Sequence, residues 1–541
     1  MADILLATVN AKYIHSAFGL RCLWANLGGL QPRCRVFEFE LEARPIEIVE
    51  ALLRERPKII GLGVYVWNVA LLEGVVAILK RVAPGVQVVL GGPEVSHETG
   101  GQAIVEAADW VITGEADLAF AGLCGQLLSG RRPAGKVIAV DPPDLSSLVL
   151  PYAGYTAADI AHRLVYVEAS RGCALDCEFC LSALDGRVRR FPHERFLAAM
   201  DDLLERGVRH FKFVDRAFNL HEASARRILE FFLDRLRPGL FLHFEMLPDR
   251  FPEGLRGWIE RFPRGILQFE VGIQTLNPAV ADRIRRRQDV DRAEAVLRWL
   301  RAATGVHVHA DLIVGLPGED LASFGRGFDR LLGWGPQEIQ VGLLKRLRGA
   351  PISRHDREFD MRYSPVPPYE VLSTGVMDFA TVQRMSRFAR YWDLVGNSGN
   401  FLETTRRLWA GGGSPFTAFM ALSDWLHGRA GRRHGLSLES LVGWLFEYLT
   451  VSCGQPAADV AGGLIRDYQR SGRRDVPGCL RASGVGVGAG GEEGSRTASR
   501  LARRQRRHRV GGEDAGATGG GGHPNPRESV VSSGARSDPG G

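Results

Sequence analysis

The chain has 541 residues, of which 45% are hydrophobic and 24% charged, a globular composition that suits about three or four domains. It contains no apolar run of about 18 residues and no signal for secretion at its start, so we expect a cytoplasmic protein without a membrane span. The net charge is +6, but residues 480–541 hold ten Arg against six Asp and Glu, so most of the excess lies there and nucleic acid is not an expected partner.

Residues 1–140 alternate short apolar runs with helical patterns. This alternation predicts a doubly wound parallel sheet of flavodoxin-like order, which binds ligands beyond the carboxyl ends of its strands. A Pro-containing linker is predicted at 141–162. The strands are predicted at 3–9, 34–40, 58–64, 86–90 and 109–112, and the helices at 15–27, 46–54, 68–83 and 98–107.

Residues 163–345 resume the same α/β alternation with six further strands. Six βα units are too few for a closed eightfold barrel, so we predict a partial (β/α)6 barrel with its site at the carboxyl ends of the strands. The strands are predicted at 164–169, 210–214, 241–246, 266–272, 307–313 and 338–343.

The last two segments differ sharply in composition. Residues 346–478 lose the strand pattern and are predicted to form a helical C-terminal domain. Residues 479–541 are rich in Gly and Arg, and from 480 onward they contain sixteen Gly and no aromatic residue. Such a segment cannot bury enough apolar surface to offset its chain entropy, so we predict a disordered tail.

Three of the eight cysteines, Cys173, Cys177 and Cys180, fall within eight residues on the loop after the first barrel strand. Three thiolates from one short loop can hold three irons of a cubane cluster and leave the fourth iron open. The alternative is a zinc site, which needs four ligands; no second Cys pair exists, and His193 is the nearest candidate. The other cysteines are scattered: Cys22, Cys34, Cys124, Cys453 and Cys479.

The C-x3-C-x2-C spacing, with the aromatic Phe179 before its third Cys, resembles the signature of the radical S-adenosylmethionine (radical SAM) superfamily. The resemblance implies a 4Fe–4S cluster on the three cysteines. Its open iron would bind the amino and carboxylate groups of S-adenosylmethionine, and one electron from the cluster would yield a 5′-deoxyadenosyl radical.

Other strand ends resemble the branch that contains methylthiotransferases and cobalamin-dependent methylases. The run from Glu270 to Gln274 ends the fourth strand, and Gly315 lies at the end of the fifth. The resemblance implies that these residues and Phe179 lie near S-adenosylmethionine, and that Asp215, which closes the second strand, lies near its amino group. A buried carboxylate such as Glu270 is also costly without a role.

The N-terminal domain resembles the cobalamin-binding domain of the same branch. The similar residues follow strands three, four and five, and the resemblance implies that they bind cobalamin: Gly63, Tyr65, Gly91, Gly92, Gly114 and Glu115. The D-x-H-x-x-G cobalt-ligand motif is broken here, because Tyr13 replaces its Asp and Gly19 comes one residue late. Whether His15 binds cobalt is left open.

The whole arrangement resembles cobalamin-domain radical SAM proteins of unassigned activity. The resemblance implies an enzyme that cleaves S-adenosylmethionine and, with cobalamin, transfers a methyl group to an unactivated carbon of an unknown substrate. A flavodoxin or ferredoxin is the expected electron donor. Two alternatives stay open: a radical rearrangement, cyclisation or sulfur insertion without cobalamin, and a non-catalytic sensor of iron or cobalamin.

Overall fold

A computed structural model describes residues 2–470, 473, 475–483, 504, 505, 507 and 508. Within these residues no helix is both long and apolar enough to cross a membrane. The cytoplasmic location and the domain boundaries stay predictions.

The N-terminal part is a parallel sheet of six strands in the order β2-β1-β3-β4-β5-β6. The flavodoxin-like order is confirmed, and β6 adds a strand that the sequence pattern did not predict. The central strands β1 and β3 are buried along their whole length because helices cover both faces. The strands are β1 Ile4–Asn10, β2 Cys34–Glu40, β3 Ile59–Gly63, β4 Gln87–Gly91, β5 Trp110–Thr113 and β6 Val137–Ala139. The helices are α1 Phe18–Ala25, α2 Pro45–Leu53, α3 Val69–Val82, α4 Ala103–Ala107 and α5 Ala119–Leu128.

The middle part is a second parallel sheet of six strands, ordered β14-β13-β12-β11-β10-β7. Its end strands β7 and β14 do not pair, so the predicted open barrel is confirmed. The barrel strands are β7 Val165–Val167, β10 His210–Phe213, β11 Phe241–Met246, β12 Leu267–Gln274, β13 His307–Val314 and β14 Glu338–Leu343. A two-residue ladder, β8 Ser170–Arg171 with β9 Arg189–Arg190, follows β7.

The helices of the barrel carry a buried stripe on one side. In α8 the buried Ala225, Ile228, Leu229 and Phe232 recur at helical spacing, and in α11 and α12 Asp289 and Asp320 cap the first turn. The helices are α6 Ala157–His162, α7 His193–Glu205, α8 Glu222–Leu233, α9 Arg256–Glu260, α10 Pro278–Arg283, α11 Val290–Ala303 and α12 Leu321–Trp334.

The C-terminal part is helical, as predicted, after one small antiparallel pair of strands, β15 Arg362–Tyr363 and β16 Val371–Ser373. An aromatic cluster joins it to the barrel: Phe328 of α12 lies 4.8 Å from Trp392 and 5.3 Å from Phe388 between ring centroids. The barrel and the C-terminal helices therefore share one core. The helices are α13 Phe379–Val395, α14 Leu402–Arg407, α15 Pro415–Ala430, α16 Leu438–Glu447 and α17 Ala457–Arg470.

The predicted disorder of 480–541 falls mostly outside the described residues. The exceptions include a small group that contacts the amino ends of the barrel strands. Arg504 pairs with Glu338 at 2.8 Å, and the Gln505 amide donates to Gln268 at 2.9 Å. Residues 504, 505, 507 and 508 are therefore packed against the barrel, in contrast to the disorder predicted for the tail.

We expect Phe388→Ala to lower the free energy of unfolding by about 3–5 kcal/mol, because it opens a cavity in the shared aromatic core. Phe388 is 0% exposed, whereas Phe379 on the same helix is 57% exposed. Phe379→Ala is therefore the matched control, with an expected change within about 0.5 kcal/mol. Denaturant unfolding followed by Trp fluorescence measures both, and equal effects would contradict the shared core.

Candidate functional site

The cysteine loop leaves the barrel at the carboxyl end of β7 and is framed by the β8–β9 ladder. Gly172, at the start of the loop, has a φ of +88°, and a Cβ there would collide with the carbonyl oxygen of Arg187. Glycine is therefore required at this crossing. The ladder and the glycine together fix where the loop begins, one residue before Cys173.

Cys173, Cys177 and Cys180 line one cavity of about 140 Å³. Within the described part of the chain, no three His, Cys, Asp or Glu side chains converge on one ion-sized point. A cubane cluster needs no such point because each Cys binds a different iron, whereas zinc needs four ligands around one ion. His193 instead contacts the Ser224 hydroxyl at 2.8 Å. The thiols fit the iron–sulfur prediction better than the zinc alternative.

A buried guanidinium stands beside these thiols. Arg286 is 4% exposed and donates to the carbonyl oxygen of Gly272. Burial raises the pKa of Cys177 to about 11, and the Arg286 charge opposes this rise. Arg286 therefore stabilises negative charge in this cavity, which the thiolate ligands of a cluster carry.

Much of the remaining cavity wall comes from the carboxyl ends of four barrel strands, and it combines charged side chains with apolar ones such as Leu175, Met246 and Leu247. It presents carboxylates and guanidiniums to the same space, a combination that suits the amino and carboxylate groups of an amino acid. Three of the predicted residues, Phe179, Glu270 and Gln274, line this wall. The charged residues beside Glu270 are Arg216, Glu245, Arg286 and Asp311.

Glu270 is tied to the barrel interior on its far side. Its carboxylate lies 3.0 Å from His243 Nε2 and 3.7 Å from Lys212 Nζ. Although burial opposes ionisation, these partners hold the pKa of Glu270 well below its ordinary value. Burial, followed by the Glu270 charge, raises the pKa of Asp311 well above its ordinary value. The two carboxyl groups of this wall thus have pKa values shifted in opposite directions.

Two residues predicted to contact S-adenosylmethionine lie elsewhere. Asp215 is 4% exposed and accepts hydrogen bonds from Ser170 Oγ at 2.5 Å and from Ala169 N at 3.0 Å, so it holds the cysteine loop from behind. Gly315 faces Val371, because a Cβ on Gly315 would lie 2.6 Å from that side chain. Both residues end barrel strands, but neither lines the cavity that the cysteines share.

A larger cleft of about 450 Å³ separates the carboxyl edge of the N-terminal sheet from the cysteine loop. All six residues predicted to bind cobalamin line it: Gly63, Tyr65, Gly91, Gly92, Gly114 and Glu115. Gly92 has a φ of +109° and Gly114 a φ of +87°, conformations that favour glycine. Because glycines form much of one wall, a flat macrocycle can approach the sheet closely, and the cleft fits the cobalamin prediction.

His15 does not reach this cleft. Its Nδ1 lies 2.7 Å from the Tyr166 hydroxyl in the first barrel strand. Tyr65 lines the cleft instead, with its ring stacked on Trp67 at 4.4 Å between centroids. The His15 imidazole is hydrogen-bonded to barrel strand β7 and does not line the cleft, and whether it binds cobalt stays open.

Buried ion pairs join the two cavities. Arg171 contacts Glu115 at 2.8 Å, Asp117 at 2.9 Å and Glu168 at 2.7 Å, and its side chain is 14% exposed. Glu115 and Asp117 follow β5, so this network fixes the cysteine loop to the N-terminal sheet. Arg216 lines both the cleft and the cysteine cavity, and its side chain is 49% exposed.

Glu178, between two of the cysteines, anchors the loop from the opposite side. It is 1% exposed, and its carboxylate contacts His355 Nε2 at 2.6 Å, Arg285 at 3.2 Å and the Arg354 guanidinium. Its carbonyl oxygen also accepts a hydrogen bond from Ile352 N at 2.9 Å. Sequence reasoning missed this residue, as well as Arg171, Arg216, Glu245 and Arg286, because none stands in a motif of its own.

Three family models match consecutive parts of the chain. Residues 4–124 match the B12 binding domain, residues 167–330 match the radical SAM superfamily, and residues 357–484 match a protein of unknown function, DUF4080. The N-terminal sheet is thus a B12-binding domain, and the barrel is a radical SAM domain. The cofactors of these domains are cobalamin and a 4Fe–4S cluster with S-adenosylmethionine.

The similar curated proteins include a methyltransferase and a methylthiotransferase. The cobalamin-dependent radical SAM methyltransferase TokK of Streptomyces tokunonensis is 26% identical over 353 residues, 58% of this chain and 51% of TokK. The ribosomal protein uS12 methylthiotransferase RimO of Chloroflexus aurantiacus is 28% identical over 169 residues, 29% of this chain and 37% of RimO. The chain therefore spans about half or less of these relatives.

Among solved structures, the radical SAM methyltransferase TsrM of Kitasatospora setae, with cobalamin and a 4Fe–4S cluster bound, superposes with a TM-score of 0.54. The match covers 66% of this chain and 75% of TsrM at 16% identity, so it shows a shared fold. The predicted family resemblance and fold class are confirmed by these matches.

We expect Asp215→Asn to remove a pH dependence of stability. Burial, against hydrogen bonds from Ser170 and Ala169, raises the pKa of Asp215 from 3.8 to about 6. Between these values the folded state binds more protons than the unfolded state, so the wild type loses stability as the pH rises, by roughly 2–3 kcal/mol. Unfolding curves from pH 4 to 7 measure it; parallel curves for wild type and variant would refute the assignment.

Proposed function

We propose that the chain is a cobalamin-dependent radical SAM methyltransferase that acts on an unactivated carbon of a small substrate. The observation that carries the proposal is that the cysteine cavity and the cobalamin cleft adjoin and share Arg216 in their walls. When bound, the cluster and S-adenosylmethionine supply a radical for hydrogen abstraction, and cobalamin supplies a methyl group. A substrate between the two cavities lies within reach of both.

The residues of the chain have distinct parts in this arrangement. The three cysteines would hold the iron, and Glu178 and Asp215 hold the loop that carries them. Glu270 would be a partner for the amino group of S-adenosylmethionine, and the Arg286 guanidinium would be a partner for its carboxylate. Arg171 joins the start of the cysteine loop to the N-terminal sheet through its ion pair with Asp117.

Arg216 is the residue that the geometry assigns to the substrate. Its guanidinium lies at the junction and has only a 3.6 Å contact with Glu245. It is therefore available to orient a carbonyl, carboxylate or phosphate group of the substrate. The electron donor, a flavodoxin or ferredoxin in our proposal, has to reach the cluster from outside these cavities.

The rival enzyme hypothesis keeps the radical chemistry without cobalamin. Its sulfur-insertion form is disfavoured because the remaining cysteines are dispersed over the chain: Cys22, Cys34 and Cys124 in the N-terminal part, and Cys453 and Cys479 farther along the chain. The sensor hypothesis is disfavoured because a charged wall suited to S-adenosylmethionine faces the three cysteines.

The deciding experiment is an absorbance spectrum after anaerobic reconstitution with iron, sulfide and hydroxocobalamin, followed by desalting. We expect an iron–sulfur shoulder and a retained corrinoid band, and formation of 5′-deoxyadenosine when S-adenosylmethionine and dithionite are added. A shoulder without the corrinoid band would favour the cobalamin-free alternative. A loaded, reduced protein that forms no 5′-deoxyadenosine would favour the sensor.

We expect Cys177→Ala to lose the iron–sulfur absorbance and all 5′-deoxyadenosine formation, because a cubane held by two thiolates is not retained. Corrinoid binding should persist, since Cys177 does not line the cobalamin cleft. Cys453→Ala, at an exposed cysteine, is the control and should behave as the wild type. An intact cluster in Cys177→Ala would refute the ligand assignment.

A further inference from the structure

The loop after β4 forms hydrogen bonds and ion pairs with residues that follow the last barrel strand, β14. It begins with Gly91 and Gly92 in the wall of the cobalamin cleft and continues through Glu94 to Glu98. Five side chains connect it to the segment after β14, and together they form what we call the clasp: Glu94, Glu98, Arg346, Arg348 and Tyr369.

The inner half of the clasp is a closed triangle of hydrogen bonds. Arg348 Nε donates to Glu94 Oε1 at 2.9 Å, and the Tyr369 hydroxyl donates to the same oxygen at 2.7 Å. Arg348 Nη2 also donates to the Tyr369 hydroxyl at 3.1 Å. Glu94 is only 3% exposed, so its charge is buried and depends on these two partners.

The outer half holds a strained residue in place. Glu98 has a φ of +48°, in the left-handed region that residues other than glycine seldom adopt. Its carboxylate accepts from Gly349 N at 3.1 Å and from Arg346 at 3.2 Å. Such a backbone conformation persists only where surrounding contacts enforce it. Here the carboxylate is held by the segment after β14, and the Glu98 carbonyl accepts a hydrogen bond from Gln102 Nε2 at 2.9 Å.

The clasp connects to the cleft wall through Ser96. Its hydroxyl donates to the Gly92 carbonyl at 2.9 Å and accepts from Gly114 N at 3.3 Å. Gly92, Ser96 and Gly114 all line the cleft. The loop held by the clasp therefore also sets the distance between the turns at Gly92 and Gly114. A macrocycle in the cleft would lie against these two turns.

We propose that the clasp is the positioning element of the cobalamin cleft. It holds the loop after β4 at the spacing that binds a corrinoid, and Tyr369 gives the C-terminal region, which matches a family of unknown function, a part in retaining the cofactor. The proposal rests on the use of this cleft for cobalamin.

The test measures hydroxocobalamin binding to the full-length protein by equilibrium dialysis. Glu94→Gln is expected to raise the Kd at least about tenfold, because it removes the buried negative charge to which Arg348 and Tyr369 both donate. Tyr369→Phe removes one hydrogen bond without a charge and should raise the Kd less. The iron–sulfur absorbance is expected to be unchanged, because the clasp does not line the cysteine cavity.

A matched control separates the clasp from general loss of an ion pair. Glu194→Gln breaks an Arg–Glu pair with Arg227 on the outside of the barrel, where the two side chains are 85% and 44% exposed, and should leave the Kd unchanged. Reversal of the pair, Glu94→Arg with Arg348→Glu, should recover part of the affinity that Glu94→Gln loses.

Unchanged affinity in both Glu94→Gln and Tyr369→Phe would overturn the proposal. If Glu94→Gln does not fold, Tyr369→Phe and Arg348→Lys decide it by the same measurement. Failure of the wild type itself to bind hydroxocobalamin would instead contradict the proposed function, so the two failures are distinguishable.

Discussion

The cysteine loop is tied to the N-terminal sheet by a guanidinium that is 14% exposed, that of Arg171. Arg171 stands two residues before the first cysteine and contacts carboxylates that follow β5 of the N-terminal sheet. Buried charges are costly unless each is paired with good geometry, so this network tolerates little displacement. The cysteine loop is therefore fixed to the B12-binding domain as well as to barrel strand β7, which precedes it in sequence.

The two sheets face each other with the carboxyl ends of their strands. The residues at these ends differ in chemistry between the two sheets. The carboxyl ends of the N-terminal strands carry glycines, which leave room for a flat ring close to the backbone. The carboxyl ends of the barrel strands carry charged side chains of both signs, which suit a zwitterionic amino acid. A parallel sheet gathers the ends of all its strands at one edge, so each cofactor meets residues from several distant parts of the sequence.

Periodicity predicted all the strands of the barrel and five of the six in the N-terminal sheet, because buried parallel strands are continuous apolar runs. The cysteine spacing and the glycine turns likewise predicted residues that the structure brings into the two cavities. Motifs did not show which side of a loop a strand-end residue faces: Asp215 and Gly315, predicted near S-adenosylmethionine, do not line the cysteine cavity. Arg286 had no signal at all: it is 4% exposed, while Arg285 and Arg287 beside it have side chains 47% and 75% exposed.

In an open barrel the first and last strands do not pair with each other. In this chain, side chains from the loops after these two strands contact each other across the gap. The loop after β7 holds Glu178, and the turn after β14 supplies His355 and Arg354 to the same carboxylate. The turn continues directly into the strands and helices of the C-terminal region, whose aromatic cluster packs on the barrel helix α12. The position of the cysteines therefore depends on sequence far beyond the last barrel strand. The segment after β14 helps to hold the cysteine loop in place. Without it the buried Glu178 carboxylate, which lies between the cysteines, would lose Arg354 and His355 as partners.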